Sequence, residues 1–375
     1  MRDTFKKLIK CGMLLAYKVK NNGIKMLTEQ KNKIKKNNLF STIKQSMIDF
    51  CDKLDKSLLD NAECRDKMII GPVYSRRFGS ILVINNVLCK TCTYNCIYCQ
   101  TGGADCCRTE RGTCFSPYEL FFYVRKKIEE LEKENIKINY IAFRPRGEAT
   151  LDLNLAHELR LIRELGYKTI VFTNSSLIWN ENVKENLLFS DIVSLKVDTV
   201  NEAIWKKINK PHKRLPFDAI LEGIVDFSKN YHGKLTTETM IIKDINDNIE
   251  EIKNTCSFLS SFKRDLSYFF IPQRPPQKGY AVPPEAEVLD KIKLFVPANL
   301  NNVKMICCDD SLPIELSGNY EEELLKLISI KSVKESDVKS TILKYDLKNN
   351  LLDEWLKKEL IEKIEYNNEH FIKIK

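Results

Sequence analysis

The sequence predicts an α/β protein built on a parallel sheet. Three observations lead there. Six short apolar runs alternate with six amphipathic stretches between residues 81 and 295, and the order is strand then helix each time. The chain, 375 residues long and 43% apolar, is large enough to build a sizeable core. Strand–helix repeats of this kind demand right-handed crossovers, which bring each strand back parallel to the last.

The β runs are residues 81–87, 140–143, 169–172, 192–197, 235–242 and 266–271. Between them, helical patterns occupy 117–134, 155–165, 181–188, 217–228, 249–261 and 284–295. Six such units form either an open doubly wound sheet or a curved partial barrel, and periodicity does not separate the two. In both, ligands gather at the carboxyl ends of the strands. After Pro313 the pattern changes: 320–328, 335–344 and 350–359 look helical, and 361–374 holds two β runs flanking Asn367-Asn368. Three helices and a hairpin suggest a winged-helix-like domain over 313–375. Residues 66–312 form the α/β core, and residues 1–65 a Lys/Asn-rich basic extension with too few apolar positions to nucleate a core.

The net charge of +9 belongs to that extension. Residues 1–40 carry 11 Lys or Arg against 2 acidic residues, while the other 335 residues balance at 49 of each sign. Residues 1–20 are studded with lysine and hold no apolar segment of signal-peptide length, and no stretch approaches the roughly 20 apolar residues of a membrane span. The expectation is a cytoplasmic protein with no membrane partner. In that reducing compartment the 13 cysteines point to metal or redox chemistry before disulfides.

The most informative segment is Cys89-Lys90-Thr91-Cys92-Thr93-Tyr94-Asn95-Cys96-Ile97-Tyr98-Cys99, directly after the first β run. Its Cys-x3-Cys-x2-Cys spacing lets Cys92, Cys96 and Cys99 wrap three corners of a cubane cluster and leaves a fourth iron without a protein ligand. Zinc is the rival: Cys89 supplies a Cys-x2-Cys pair that would close a tetrahedron with Cys96 and Cys99. The spacing, the strand's carboxyl end and the aromatic Tyr98 favour iron–sulfur.

This loop resembles the cluster motif of radical S-adenosylmethionine (SAM) enzymes. So do further blocks in order: Gly71-Pro72-Val73-Tyr74-Ser75-Arg76-Arg77-Phe78-Gly79, Thr173-Asn174-Ser175-Ser176, Ile208-Asn209-Lys210-Pro211-His212, Lys243-Asp244-Ile245-Asn246-Asp247 and Arg274-Pro275-Pro276. Together they are similar to the branch that contains the tRNA wyosine-synthesising iron–sulfur oxidoreductases, over about residues 69–300. The resemblance implies a partial (β/α)6 TIM-type barrel and a [4Fe-4S] cluster that reductively cleaves SAM, so that a 5'-deoxyadenosyl radical abstracts hydrogen from a substrate. Such an enzyme is classed as an oxidoreductase or transferase and draws its electron from a donor such as flavodoxin or ferredoxin.

The same resemblance assigns site residues. The turn Arg144-Pro145-Arg146-Gly147-Glu148-Ala149-Thr150 stands where the family has Gly-x-Gly-Glu-Pro-Thr, so Gly147, Glu148 and Thr150 are implied SAM contacts. Pro145 and Ala149 depart from the pattern, and a proline removes a backbone N–H. Asn174 and Ser176 are implied to reach the methionyl carboxylate or ribose, although turn chemistry also explains them. Lys196 and Asp198 occupy a Ser-Leu-Asp position. Arg76, Arg77, His212 and Arg274 are candidate substrate contacts, the arginines as clamps on an anion. A second cluster is a further expectation, on Cys51, Cys64 and Cys89, or on Cys106, Cys107 and Cys114 with Cys307 or Cys308. RNA, tRNA foremost, is the favoured substrate class, because a basic extension and a winged helix both suit nucleic acid. A protein or peptide substrate is the alternative, and a non-catalytic, metal-binding nucleic-acid regulator the third reading.

Overall fold

A computed structural model describes residues 68–87, 90–307 and 314–375. The basic extension and Cys11, Cys51, Cys64, Cys89 and Cys308 lie outside the described residues. Those described fall within one compact unit, Asp60–Lys375.

Eight strands make the main sheet. β1 (Ile69–Ser75) and β2 (Gly79–Ile84) form an antiparallel hairpin at one edge. A small parallel pair follows, β3 (Thr91–Cys92) with β4 (Cys106–Cys107). The sheet then continues with β5 (Tyr140–Phe143), β6 (Lys168–Thr173), β7 (Ile192–Lys196), β8 (Lys234–Met240), β9 (Leu266–Phe270) and β10 (Val303–Ile306), in the spatial order β1-β2-β5-β6-β7-β8-β9-β10. From β2 onward every pairing is parallel.

Because spatial order follows chain order, each right-handed crossover steps the same way and puts its helix on the same face. That excludes double winding and yields the partial barrel. Its outer helices are α1 (Pro117–Lys133), α2 (Leu155–Arg163), α3 (Glu181–Leu187), α4 (Glu202–Asn209), α5 (Phe217–Asn230), α6 (Ile249–Ser260) and α7 (Ala286–Asn299). Asparagine caps fix several starts: Asn180 accepts from Asn182 N, Asn201 from Ala203 and Ile204 N, and Asn248 from Glu251 N.

Three elements differ from the sequence pattern. β1 carries Gly71-Pro72 in its middle, which reads as a strand breaker; an edge position and a register shift between Ile70 and Val73 accommodate it. α4 is only eight residues long and was hidden between stronger signals. β10 is half-exposed and shows no clear alternation.

The C-terminal module runs α8 (Tyr320–Ile330), β11 (Val333–Lys334), α9 (Glu335–Lys344), α10 (Leu351–Lys357), β12 (Ile361–Tyr366) and β13 (Glu369–Ile374), with an antiparallel sheet ordered β11-β13-β12. Its apolar side does not stand alone. Leu324, Leu327, Ile328 and Trp355 join one core cluster with Ile70, Val73 and Ile81 of the barrel's edge hairpin. The module thus covers an edge strand that would otherwise offer unpaired backbone groups. Lys127 Nζ to Glu323 (3.1 Å), Arg274 to the Ser332 carbonyl, and Tyr366 OH to the Pro272 carbonyl (3.1 Å) tie the seam.

Candidate active site

A cavity of about 370 Å³ opens at the carboxyl ends of the strands. Cys92, Cys96 and Cys99 line one wall, with Gly147, Glu148 and Asn174 beside them; Arg76, Arg77, Lys196 and Arg274 also line it.

The cysteine loop is held from three directions. The 208–212 segment clamps it by backbone: Asn95 N donates to Asn209 O (2.9 Å), Ile97 N to Ile208 O (2.9 Å), and His212 N to Thr93 O (2.9 Å). The His212 imidazole accepts from Arg214 N and does not line the cavity. After β6, Ser175 takes a left-handed turn (φ 67°), which aims both its neighbours at the loop. Asn174 Nδ2 donates to Thr93 Oγ1 (2.7 Å), and Ser176 Oγ lies 2.6 Å from the same oxygen. Asp198 is the third anchor: its carboxylate accepts from Tyr98 OH (2.5 Å), Asn209 Nδ2 (2.8 Å) and Met240 N (2.8 Å). Ser176 and Asp198 therefore sit behind the wall, where they position other groups.

The three thiols fit a cluster. Cys92 senses the charge of both other thiols and Cys96 that of Cys99, so the three are neighbours, and burial pushes Cys96 up to about 12 and Cys92 well above its ordinary value in the metal-free thiol form. Iron bound by these thiols would displace those protons. Each sulfur also meets a polar group: Asn174 Nδ2 at 3.5 Å from Cys92, Asn209 Nδ2 at 3.4 Å from Cys96 and Thr101 Oγ1 at 3.3 Å from Cys99. Hydrogen bonds to cluster sulfurs are among the terms that set reduction potential. Among the described residues no three His, Cys, Asp or Glu groups meet the geometry of a single-ion site. In a cubane each thiolate takes its own iron, so the ligands need not converge on one point.

The Glu148 loop is packed directly on the cysteine strand. Glu148 N donates to Thr91 O (3.0 Å), and a Cβ on Gly147 would lie 1.7 Å from that same oxygen, so only glycine permits the approach. Glu148 itself is 1% exposed. It accepts from Thr150 N (3.0 Å), Thr150 Oγ1 (2.6 Å), Thr173 Oγ1 (2.6 Å) and Asn174 N (2.7 Å). Burial raises its proton affinity and these donors oppose the rise. Ala149, where the resemblance expects proline, opens a 3₁₀ turn (Ala149–Leu151), a position that a proline also suits.

Glu238 is the site residue that the strand pattern concealed. It sits in β8, binds Arg77 Nη1 (2.6 Å), Lys196 Nζ (3.3 Å) and Ser194 Oγ (2.8 Å), and faces the cavity. Burial would raise its pKa, but Arg77 and Lys196 reverse the direction and hold it well below the usual carboxylate range. A lone charge inside a buried β run was the available signal. Arg77 also lies over the rings of Phe78, Phe172, Tyr268 and Phe270 at 5.0–5.2 Å. It is walled in. Of the other candidates, Arg76 donates to Gln273 (3.3 Å) and Arg274 to the Ser332 carbonyl.

Behind the Glu148 loop, Asp152 and Glu158 are both fully buried. Burial raises both pKa values; the neighbouring Asp152 carboxylate raises Glu158 further, whereas Glu158 lowers Asp152. The folded state thus retains protons that the unfolded chain releases above about pH 4, and stability falls as pH rises through the folded range. Glu158→Gln is expected to flatten that slope and to raise stability at pH 8 on the order of 1–3 kcal/mol. Urea unfolding at pH 5 and pH 8 checks it; an unchanged slope in the variant would sink the assignment.

Of the remaining cysteines, Cys106 and Cys107 are exposed on β4 beside the loop, and Cys256 is buried in α6. No helix among the described residues is long and apolar enough to cross a membrane.

Comparison with known proteins agrees with this geometry. Residues 86–259 match the sequence model of the radical SAM superfamily. The chain is similar to UPF0026 protein MJ1312 of Methanocaldococcus jannaschii, with 38% identity over 303 residues, covering 80% of this chain and 94% of that protein. It is also similar to a probable dual-specificity RNA methyltransferase RlmN of Dictyoglomus turgidum, with 25% identity over 176 residues, 45% of this chain and 49% of that one. A solved structure of TYW1 with a lysine-pyruvate adduct bound superposes with a TM-score of 0.47 at 15% identity, covering 64% of this chain and 82% of that one. Radical SAM enzymes use a [4Fe-4S] cluster with SAM. A superfamily match that opens on the cysteine loop, together with a relative matched over nearly its whole length, shows that the chain belongs to the radical SAM superfamily.

Proposed function

We propose that Cys92, Cys96 and Cys99 hold a [4Fe-4S] cluster, that SAM binds in the adjoining cavity, and that the enzyme modifies RNA. When bound, the cluster and SAM supply the 5'-deoxyadenosyl radical that abstracts hydrogen from the substrate. The observation that carries this reading is the seating of three neighbouring, polar-contacted thiols against the Gly147-Glu148 loop at the strands' carboxyl ends. Glu148 fixes the 148–150 turn and the start of the Asn174 turn, and Lys196 and Glu238 present opposite charges to the cavity. The buried barrel wall keeps water from the reacting centre.

RNA is supported by the similarity to an RNA methyltransferase and by the helix–strand–helix–helix–strand–strand order of the C-terminal module, which suits a winged helix. One observation favours a protein substrate instead. α10 carries Asp353 and Glu354 against a single lysine, Lys357, and Leu343, Leu356 and Leu360 are exposed on the same module. Cross-linking in lysate separates the two readings.

The central test is anaerobic reconstitution with iron, sulfide, dithionite and SAM. Formation of 5'-deoxyadenosine is expected, with about four iron per chain for one cubane. No 5'-deoxyadenosine from protein whose cluster is spectroscopically intact would overturn the proposal.

A further inference from the structure

The cavity carries more positive charge than its proposed cofactors neutralise. Its described lining includes eight Lys or Arg side chains and two carboxylates, Glu148 and Glu238. Both carboxylates are already committed, Glu148 to Thr150, Thr173 and Asn174, and Glu238 to Arg77, Lys196 and Ser194. Three of the cations, Lys90, Arg144 and Arg146, pair with no acidic side chain among the described residues. Lys90 is 3% exposed, and among the described residues its Nζ has no hydrogen-bond acceptor; the buried Nε of Arg146 has none either.

Arg144 is the most telling of the three. Its guanidinium faces the cavity and rests on the Phe172 ring at 5.5 Å; Glu238, already bound to Arg77 and Lys196, attracts it, while Arg77 and Arg274 repel it. Arg144 is exposed to the cavity, with the half-buried Arg146 and the buried Lys90 lining the same cavity, and buried cations are costly unless an anion joins them. SAM and the cluster do not supply enough. An oxidised [4Fe-4S] core on three thiolates is a monoanion, and SAM, with a sulfonium, an ammonium and one carboxylate, is a monocation. Together they add no net charge, and the single SAM carboxylate satisfies at most one of the three cations by direct pairing.

We infer that this wall binds a phosphate group of the substrate, with Arg144 as its principal ligand. The assignment rests on the radical SAM reading of the site. Guanidinium forks match phosphate oxygens bidentately, and a buried ammonium adds a point charge beside them. A terminal phosphomonoester of a small molecule and a phosphodiester of a polynucleotide share this chemistry.

Titration calorimetry on the reconstituted, SAM-loaded enzyme tests it, with inorganic phosphate and dimethyl phosphate as probes. Saturable binding of at least one probe is expected, weakened about tenfold or more by Arg144→Gln, which removes a charged phosphate contact. SAM affinity is expected to change less than about twofold, and Arg144→Lys to fall between the two. Tighter binding of inorganic phosphate identifies a phosphomonoester as the source, and tighter binding of dimethyl phosphate a polynucleotide. Absence of saturable binding by both probes would overturn the inference. So would an Arg144→Gln variant that loses SAM as much as phosphate, because Arg144 would then serve the SAM carboxylate. 5'-Deoxyadenosine formation in the same wild-type preparation reports separately on the underlying function.

Discussion

Gly147→Ala is expected to lower 5'-deoxyadenosine formation by more than about 100-fold, the scale on which an ångström-sized misplacement acts. The methyl group would sit 1.7 Å from Thr91 O, 2.6 Å from Thr91 C and 3.2 Å from Thr91 N. All three are backbone atoms, so no side chain can rotate to make room. Either the Glu148 loop or the Thr91-Cys92 strand must retreat, and the Glu148 N to Thr91 O hydrogen bond goes with it. That single contact registers the Glu148 turn against the first cluster thiol. Circular dichroism should show a retained fold, with SAM binding and cluster content reduced together. A variant that keeps half the wild-type rate would show that the two segments are not coupled as described.

The second large effect is on stability. Arg77→Met is expected to destabilise the protein by about 3–5 kcal/mol, the usual result of stripping one partner from a buried ion pair. Arg77 and Glu238 side chains are 9% and 15% exposed, so water screens them little. Methionine retains much of the volume against the four rings and loses the charge. Glu238 then keeps Lys196 and Ser194, which compensate only in part. The Arg77→Met/Glu238→Gln double variant should recover more than about 1 kcal/mol relative to additivity, as contacting residues do. Urea unfolding of wild type, both single variants and the double variant completes the cycle. A single variant within about 1 kcal/mol of wild type would remove Arg77 from the barrel's structural support.

These two residues also show where the sequence is informative. Gly147 was marked by its place in a local motif, but the reason for glycine is Thr91, 56 positions away in the chain. Arg77 looked like a free clamp for an anion. Its partner Glu238 is 161 residues distant, and the four enclosing rings come from three segments that meet only inside the barrel. Arg144, only a neighbour of Glu148 in the 144–150 turn, faces the cavity with Phe172 under it. His212 followed the same logic: a histidine in a motif block suggests chemistry, whereas its peptide N–H holds the cysteine loop.

The sequence by itself determined the α/β class, the six parallel strands from β2 to β9, and the cysteine loop after the first of them. Each depends on short-range information: strand and helix periodicity is a property of neighbouring side chains, and Cys-x3-Cys-x2-Cys is a spacing within one loop. Tertiary structure alone decided which charges are spent and which remain open. Pairing at low dielectric depends on distance and burial, and neither is written in the order of residues. The same holds for Pro72 in an edge strand and for the C-terminal module's shared core, where packing overrode local signals.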